Sequence, residues 1–271
     1  MSLGQAKTRA FNLGTAELRI MPLSASGAAL SAHSVGLVDS VTVEVAQESV
    51  RLEGGFPRKL VDTAIASQTA TVTGALREVS RRNLKVLLGQ GVGASEPADV
   101  ATTMAGSATI AGATSITVTS ATGITAGSTI VVYPKGKPEL LSVCLVDSVS
   151  TNVLTLNTNT PLLVAYDPAT NVEIFNAQPI PIGAVDQVQY FGVQVIQRNW
   201  QNGRPRVFDF WKGAVSAGMT FETSNQDYGT QNLQIEILEP SVEDYATGGP
   251  LEKLANIIPA FPSGRMAFGA V

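Results

Sequence analysis

The chain has 271 residues, 44% of them hydrophobic and 15% charged, with a formal net charge of −4. That length holds one sizeable domain or two small ones, and that balance excludes wholesale disorder. A single cysteine excludes an internal disulfide and a cysteine-built metal centre, and no run approaches the roughly 18 apolar residues of a membrane span.

Val, Thr, Ala, Gly and Ser set a β-rich texture. The opening MSLGQAKTRAFNLG lacks the charged-then-apolar layout of a signal peptide and reads as a cytoplasmic start. Residues 9–23 suggest a first strand bounded by Gly14 and Pro22. Residues 34–50 suggest a longer one, with Val41, Val43 and Val45 on one face and Ser40, Thr42 and Glu44 on the other. Residues 51–60 form a turn-rich stretch with Gly54, Gly55 and Pro57. In the next strand, Thr63, Ser67, Thr69, Thr71 and Thr73 share a face that only Ile65 interrupts.

A short helix is expected from about Glu78. Arg77, Arg81 and Lys85 fall on one side, Leu84, Leu87 and Leu88 on the other, and Gly89 stops it. Glu78 is placed to pair with Arg82 at four-residue spacing. From 104 to 178 about six short β-like runs alternate with Gly, Pro, Asn and Asp signals, so this stretch reads as an inserted small β domain. The host domain is then 1–103 with 179–271. Alternating strands resume over 184–200, 206–223 and 232–240. Residues 248–259 predict a closing helix with Pro250 at its start, Leu251, Leu254, Ala255 and Ile258 on one face, and Pro259 at its end.

Charge is unevenly spread. Residues 50–85 hold seven basic and three acidic side chains, whereas 207 onward holds three basic and eight acidic. Opposite patches on one chain suit head-to-tail assembly.

Catalytic patterns are missing. His33 is the only histidine and has no carboxylate cluster beside it in sequence, and no G-x-S-x-G, P-loop or H-E-x-x-H occurs. GQGVGA at 89–94 follows a helix instead of a strand, the wrong order for a dinucleotide loop. Glu236 with Glu239, or Glu243 with Asp244, is the remaining enzymatic route, since a glycosidase needs two carboxyls roughly 5 to 10 Å apart. Strand alternation sends the first pair to opposite faces. Asp147, Asp167 and Asn171 suit turns better than a calcium loop. Cys144, in LLSVCLVDS, reads as a buried structural thiol. Tyr190, Trp200, Phe208, Phe210 and Trp211 read as core, with a carbohydrate platform as the alternative. No enzyme, cofactor or metal site is expected.

The order of the long hairpin (34–76), the helix after it, and the closing strands around RVFDFWKGAVSAGMTFET and QDYGTQNLQIEIL resembles the tail tube proteins of tailed bacteriophages. The resemblance implies a mainly β fold, a tail-tube-type β-sandwich or barrel with a flanking α-helix, in which sheets of six copies close a ring around a bore. It implies stacked homohexameric rings that conduct DNA during genome ejection. The implied partners are further copies, a tape-measure protein, tail completion and tip proteins, and DNA in transit, with no membrane insertion by this chain. The implied location is the virion tail, and the host cytoplasm during assembly. The inserted β domain is expected on the tube exterior.

On that reading Glu44, Thr63, Ser67, Thr69, Thr71 and Thr73 face the lumen, because hydroxyls hydrate without binding phosphate. Arg51, Glu53, Gly54, Gly55, Arg58 and Lys59 form the ring-stacking loop. The alternative is a phage decoration protein or a receptor- or carbohydrate-binding β protein.

Overall fold

The computed structural model describes residues 16–27, 31–54, 56, 59–91, 100–182, 188–198, 205–216 and 230–268. The chain divides into two compact units, Met1–Glu96 with Ile182–Val271, and Pro97–Pro181. Both are mainly antiparallel β structure with few helices.

In the discontinuous host unit, β1 (Ala16–Pro22) is followed by β2 (Val38–Gly54), β3 (Lys59–Leu76) and the helix α1 (Arg81–Leu87). The inserted unit supplies β4 (Ala101–Thr103), β5 (Ser115–Thr117), β6 (Thr129–Pro134), β7 (Ser142–Ser150), β8 (Val153–Leu156) and β9 (Val172–Ala177). The host then resumes with β10 (Tyr190–Arg198), β11 (Pro205–Val215), β12 (Gln231–Leu238), the single turn α2 (Val242–Tyr245) and β13 (Gly264–Phe268).

The host sheet runs β1-β10-β11-β12-β3-β2, with β13 also paired to β11. β11 changes partners along one edge. Arg206–Phe210 pair with β13, and Lys212–Val215 pair with β12. Period-two alternation drives one face into a core of Leu18, Ile20, Val72, Leu76, Val193, Val195, Phe210, Leu233 and Ile235, onto which Val86 and Leu87 of α1 pack.

The helix is shorter than its sequence pattern predicts and differently phased. Ser80 caps it by accepting from the Asn83 N–H at 3.1 Å, which leaves Arg77 and Glu78 outside. Arg82 does not pair with Glu78. It is buried, and its guanidinium donates to the carbonyls of Ile20, His33 and Ser34. Glu78 instead accepts from the Leu37 N–H at 3.2 Å. Asn83 adds bonds to the Val35 and Glu78 carbonyls at 2.7 and 2.9 Å. Polar side chains thus fasten the helix to the β1–β2 connection by satisfying main-chain groups there.

A smaller core covers part of the opposite face. Trp211 is fully buried with Leu251, Leu254 and Ile258, and its indole N–H donates to the Phe261 carbonyl at 2.7 Å. Gly192 lets residues 23–26 lie against β10, because a Cβ there would sit 2.7 Å from Ser26 Oγ and 2.9 Å from Met21 Cγ. The predicted 248–259 helix is instead two 3-10 turns, Glu252–Leu254 and Ile258–Ala260, with Pro259 inside the second. Its apolar residues are buried as their spacing suggests, but on irregular backbone.

The inserted unit forms a sheet of order β4-β9-β6-β7-β8-β5, and a Met104–Val118 bridge joins the two ends. The ring of strands surrounds Ile116, Ile130, Val132, Leu154, Leu156, Leu162 and Ile174. β4 pairs with β9, so residues 101–103 belong to the insert and not, as the 104 boundary implied, to the host.

Candidate functional site

Cross-strand register brings the hydroxyl residues of β3 onto the host face opposite the main core. One row reads Thr42, Thr73, Gln234, and the next reads Glu44, Thr71, Glu236, Ala214, Tyr190. Beyond them lie the pairs Ala46–Thr69 and Glu48–Ser67, the latter joined by a 3.3 Å hydrogen bond. Glu44, Ser67 and Thr69 are exposed, whereas Thr71 and Thr73 are half-buried.

The cations on this face are neutralised locally. Arg19 meets Glu17 at 2.8 Å, Arg265 meets Asp209 at 3.0 Å, and Lys212 meets Asp244 at 2.8 Å while lying 4.3 Å from the Tyr190 ring. Burial raises the Asp244 carboxyl, but bonds from Lys212 and Ser241 outweigh it and hold the group below its ordinary value. The face therefore offers hydroxyls, amides and carboxylates, with its described lysine and arginine side chains tied into pairs.

One predicted member does not belong. Ser67 pairs with Glu48 but Ile65 pairs with Ser49, so Ala66 is an extra residue in β3. This bulge inverts the alternation beyond it and moves Thr63 to the other face, where it pairs with Arg51. Ile65, which looked like an interruption, follows the same inversion.

The stacking-loop residues lie on a longer feature than a turn. The β2–β3 ladder continues to the Gly54–Lys59 pair, so Arg51, Glu53, Gly54 and Lys59 end a two-stranded arm. Gly55 and Arg58 lie outside the described residues, as does Trp200. From Ala46 to Glu53 and from Asp62 to Thr69 every residue is exposed. The arm carries Val50, Leu52, Leu60 and Ile65 at 57% to 64% exposure, with Phe56 fully exposed at its tip. Sequence pattern reports which residues alternate, not where a ladder ends, so 51–60 reads as a turn-rich stretch although Arg51–Gly54 and Lys59–Leu60 continue the two strands. Among the described residues β2, 17 residues long, is also the last strand of the sheet.

A groove of about 670 Å³ opens where β11 changes partners. Phe208, Phe210, Ile237, Ala70 and Val45 line it, together with Met266 from β13, and Arg265 and Glu239 are also at its wall. It exposes one end of the main core. No motif signals it, because it arises from three strands meeting.

The catalytic candidates are occupied or dispersed. Glu236 belongs to the hydroxyl face, Glu239 lines the groove, and Asp244 caps α2. His33 is buried, its imidazole held below its ordinary value first by burial and then by Arg82 and Arg19. Among the described residues no cluster of His, Cys, Asp and Glu suits a metal ion. Asp167 caps a 3-10 turn through the Ala169 N–H and Asn171 takes φ 53°, as turn chemistry predicts, whereas Asp147 lies within β7 at its register shift and accepts from Asn157. Cys144 is buried in the insert, and desolvation pushes its thiol up to about 11.

No protein-family model matches the chain, and no curated protein matches it. Among solved structures, the tailspike of Acinetobacter baumannii bacteriophage AP22, in complex with capsular saccharide, is similar to 31% of this chain at 20% identity and a TM-score of 0.26. The similarity spans 15% of the tailspike chain, and at that score it carries no argument about fold or function.

Proposed function

We propose that the chain is the structural subunit of a phage tail tube, with no catalytic role. Homohexameric rings stack into a conduit for DNA, and the hydroxyl face lines the bore. The observation that carries this reading is the character of that face: Thr69, Thr71, Thr73, Glu44 and Glu236 lie together, and the neighbouring cations are paired. A basic bore would release counterions from passing phosphates and retain the polymer, whereas hydroxyls and carboxylates hydrate and repel. The position of the 17-residue β2 at the end of the sheet, among the described residues, supports assembly, because a long sheet edge is a template for another strand. Tape-measure, completion and tip proteins are the partners of such a tube, its place is the virion tail, and its subunits assemble in the host cytoplasm.

Introducing lysine at Thr69 and Thr71 tests the reading. These outward positions leave the core intact, so rings form normally and genome passage slows. Normal ejection kinetics in assembled variant particles would reject the lumen assignment. A second reading, a decoration or carbohydrate-binding protein, draws on the insert. Tyr133 and Phe175 meet edge-on there at 6.1 Å, with Phe175 38% exposed. It predicts saccharide binding that is lost on Phe175→Ala, without ring formation.

A further inference from the structure

We infer that residues 9–15 of this chain fold across the open end of its own host sheet and seat Phe11 and Leu13 in the groove between β13 and β3. The inference is independent of the tube reading. It names what completes the main core within a single copy.

The groove is the mouth of a curled sheet. Leu18 of β1 reaches across to β3, where its Cδ2 lies 3.3 Å from the place a Cβ on Gly74 would take, so the sheet wraps around its apolar face. At one end, where β3 finishes at Leu76, α1 follows and packs Val86 and Leu87 onto the core. At the other end Val45, Ala70 and Ile237 form one wall, and Phe208, Phe210 and Met266 form the other. Phe208, Phe210 and Ile237 belong to the core yet line an open groove, beside Met266 at 57% exposure. Apolar surface of that kind calls for a cover.

The N-terminal segment starts from the rim of this mouth. Cross-strand register reads Leu18, Val195, Phe208, Met266 in one row and Ala16, Gln197, Arg206, Phe268 in a parallel row nearer the rim. Ala16 is the first described residue, and it packs against the main core. From its strand to β13 is three strand spacings, about 14 Å. The five residues from Ala16 back to Phe11 span up to about 17 Å when extended. Phe11 therefore reaches the far wall and Leu13 the middle, and Gly14 frees the chain to turn inward.

Charge selects the same segment. Arg265 is committed to Asp209 at 3.0 Å, so the other charge at the wall, the Glu239 carboxylate, sets the sign of the groove. Residues 1–15 carry Lys7 and Arg9 and no acidic side chain. Residues 217–229 carry Glu222 and Asp227 and no basic one, and they follow Ser216, which bonds to Gln234 on the way to the helix end. Residues 269–271, Gly-Ala-Val, supply no large side chain.

Cross-linking within the full chain tests the inference. Asn12→Cys and Met266→Cys are combined in one chain, kept dilute and treated with a short bismaleimide. Native Cys144 is buried and stays silent. The expected result is a link between residues 12 and 266 inside the monomer, found by peptide mass. Adding Phe11→Ala and Leu13→Ala should cut its yield about tenfold and unmask the thiol at 266 to maleimide. Asn12→Cys with Ser263→Cys is a second pair, in case a thiol at 266 disturbs β13. An equal yield in the alanine variants would mean tethered proximity without seating, and overturns the inference. Links found only in dimers overturn it in favour of a second copy. A thiol at 266 that is shielded yet never links overturns it in favour of another cover, such as the 199–204 connection, and one that reacts freely without linking shows an open mouth and overturns it too.

Discussion

Replacing Arg82 with alanine tests how the host unit holds its helix. The guanidinium donates to three main-chain carbonyls, those of Ile20, His33 and Ser34, the last two at 3.2 Å. Hydrogen bonds to a charged group contribute about 1.5–3 kcal/mol each, and a buried acceptor left without its donor costs about 1–3 kcal/mol. Removing a buried charge also returns its desolvation penalty of several kcal/mol, which offsets much of that sum. The net loss should be about 3 kcal/mol, or a fall in Tm of about 6–12 °C for a unit of this size. Both tryptophans, Trp200 and Trp211, belong to this unit, so urea unfolding followed by their fluorescence reports it separately from the insert. Arg82→Lys keeps the charge but not the planar fork, and should lose about half as much. A loss below about 1 kcal/mol for the alanine variant, or an equal loss for Arg81→Ala, would refute the reasoning.

Host stability should fall in two stages on acidification. His33 has a depressed folded value, so the unfolded chain takes up the first proton as pH falls below 6.5 and stability declines from there. Asp244 is also depressed. Its contribution is complete above its unfolded value of 3.8 and disappears as pH falls through the folded value. Urea midpoints measured from pH 7.5 to 3 check both, and stability that rises between pH 7 and 5 would contradict the first. The insert should be removable, because Ala101 and Phe175 pair and its two ends emerge side by side. A chain with 97–181 replaced by a short Gly-Ser linker should keep the native Trp fluorescence of the host unit, and a red-shifted spectrum would show that the host depends on its insert.

Alternation made much of the fold readable. β12 buries Gln231, Leu233, Ile235 and Ile237 and exposes Asn232, Gln234 and Glu236, as a two-residue beat requires. Between 104 and 178, where turn residues punctuate the sequence, five strands appear, β5 to β9. The errors share one cause: periodicity describes a segment in isolation. Ala66 adds one residue to β3 and sends Thr63 to the wrong face, which only the partner strand β2 reveals. Arg82 looks like a surface residue until the carbonyls of the β1–β2 connection are found around it. Residues 51–60 look like a turn because Gly54, Gly55 and Pro57 punctuate them, yet Arg51, Leu52 and Glu53 still pair with β3. The candidate face was legible through its hydroxyls on β3, while Glu236 and the paired Lys212 entered it only through sheet order.

The central claim concerns which way the hydroxyl face looks when copies assemble. A cryo-electron microscopy map of the purified assembly, at a resolution that traces strands, decides it directly. The account predicts a hollow ring with Thr71, Thr73 and Glu236 lining the bore. A particle with those residues on its outer wall, or a protein that stays monomeric at every concentration tried, would contradict it.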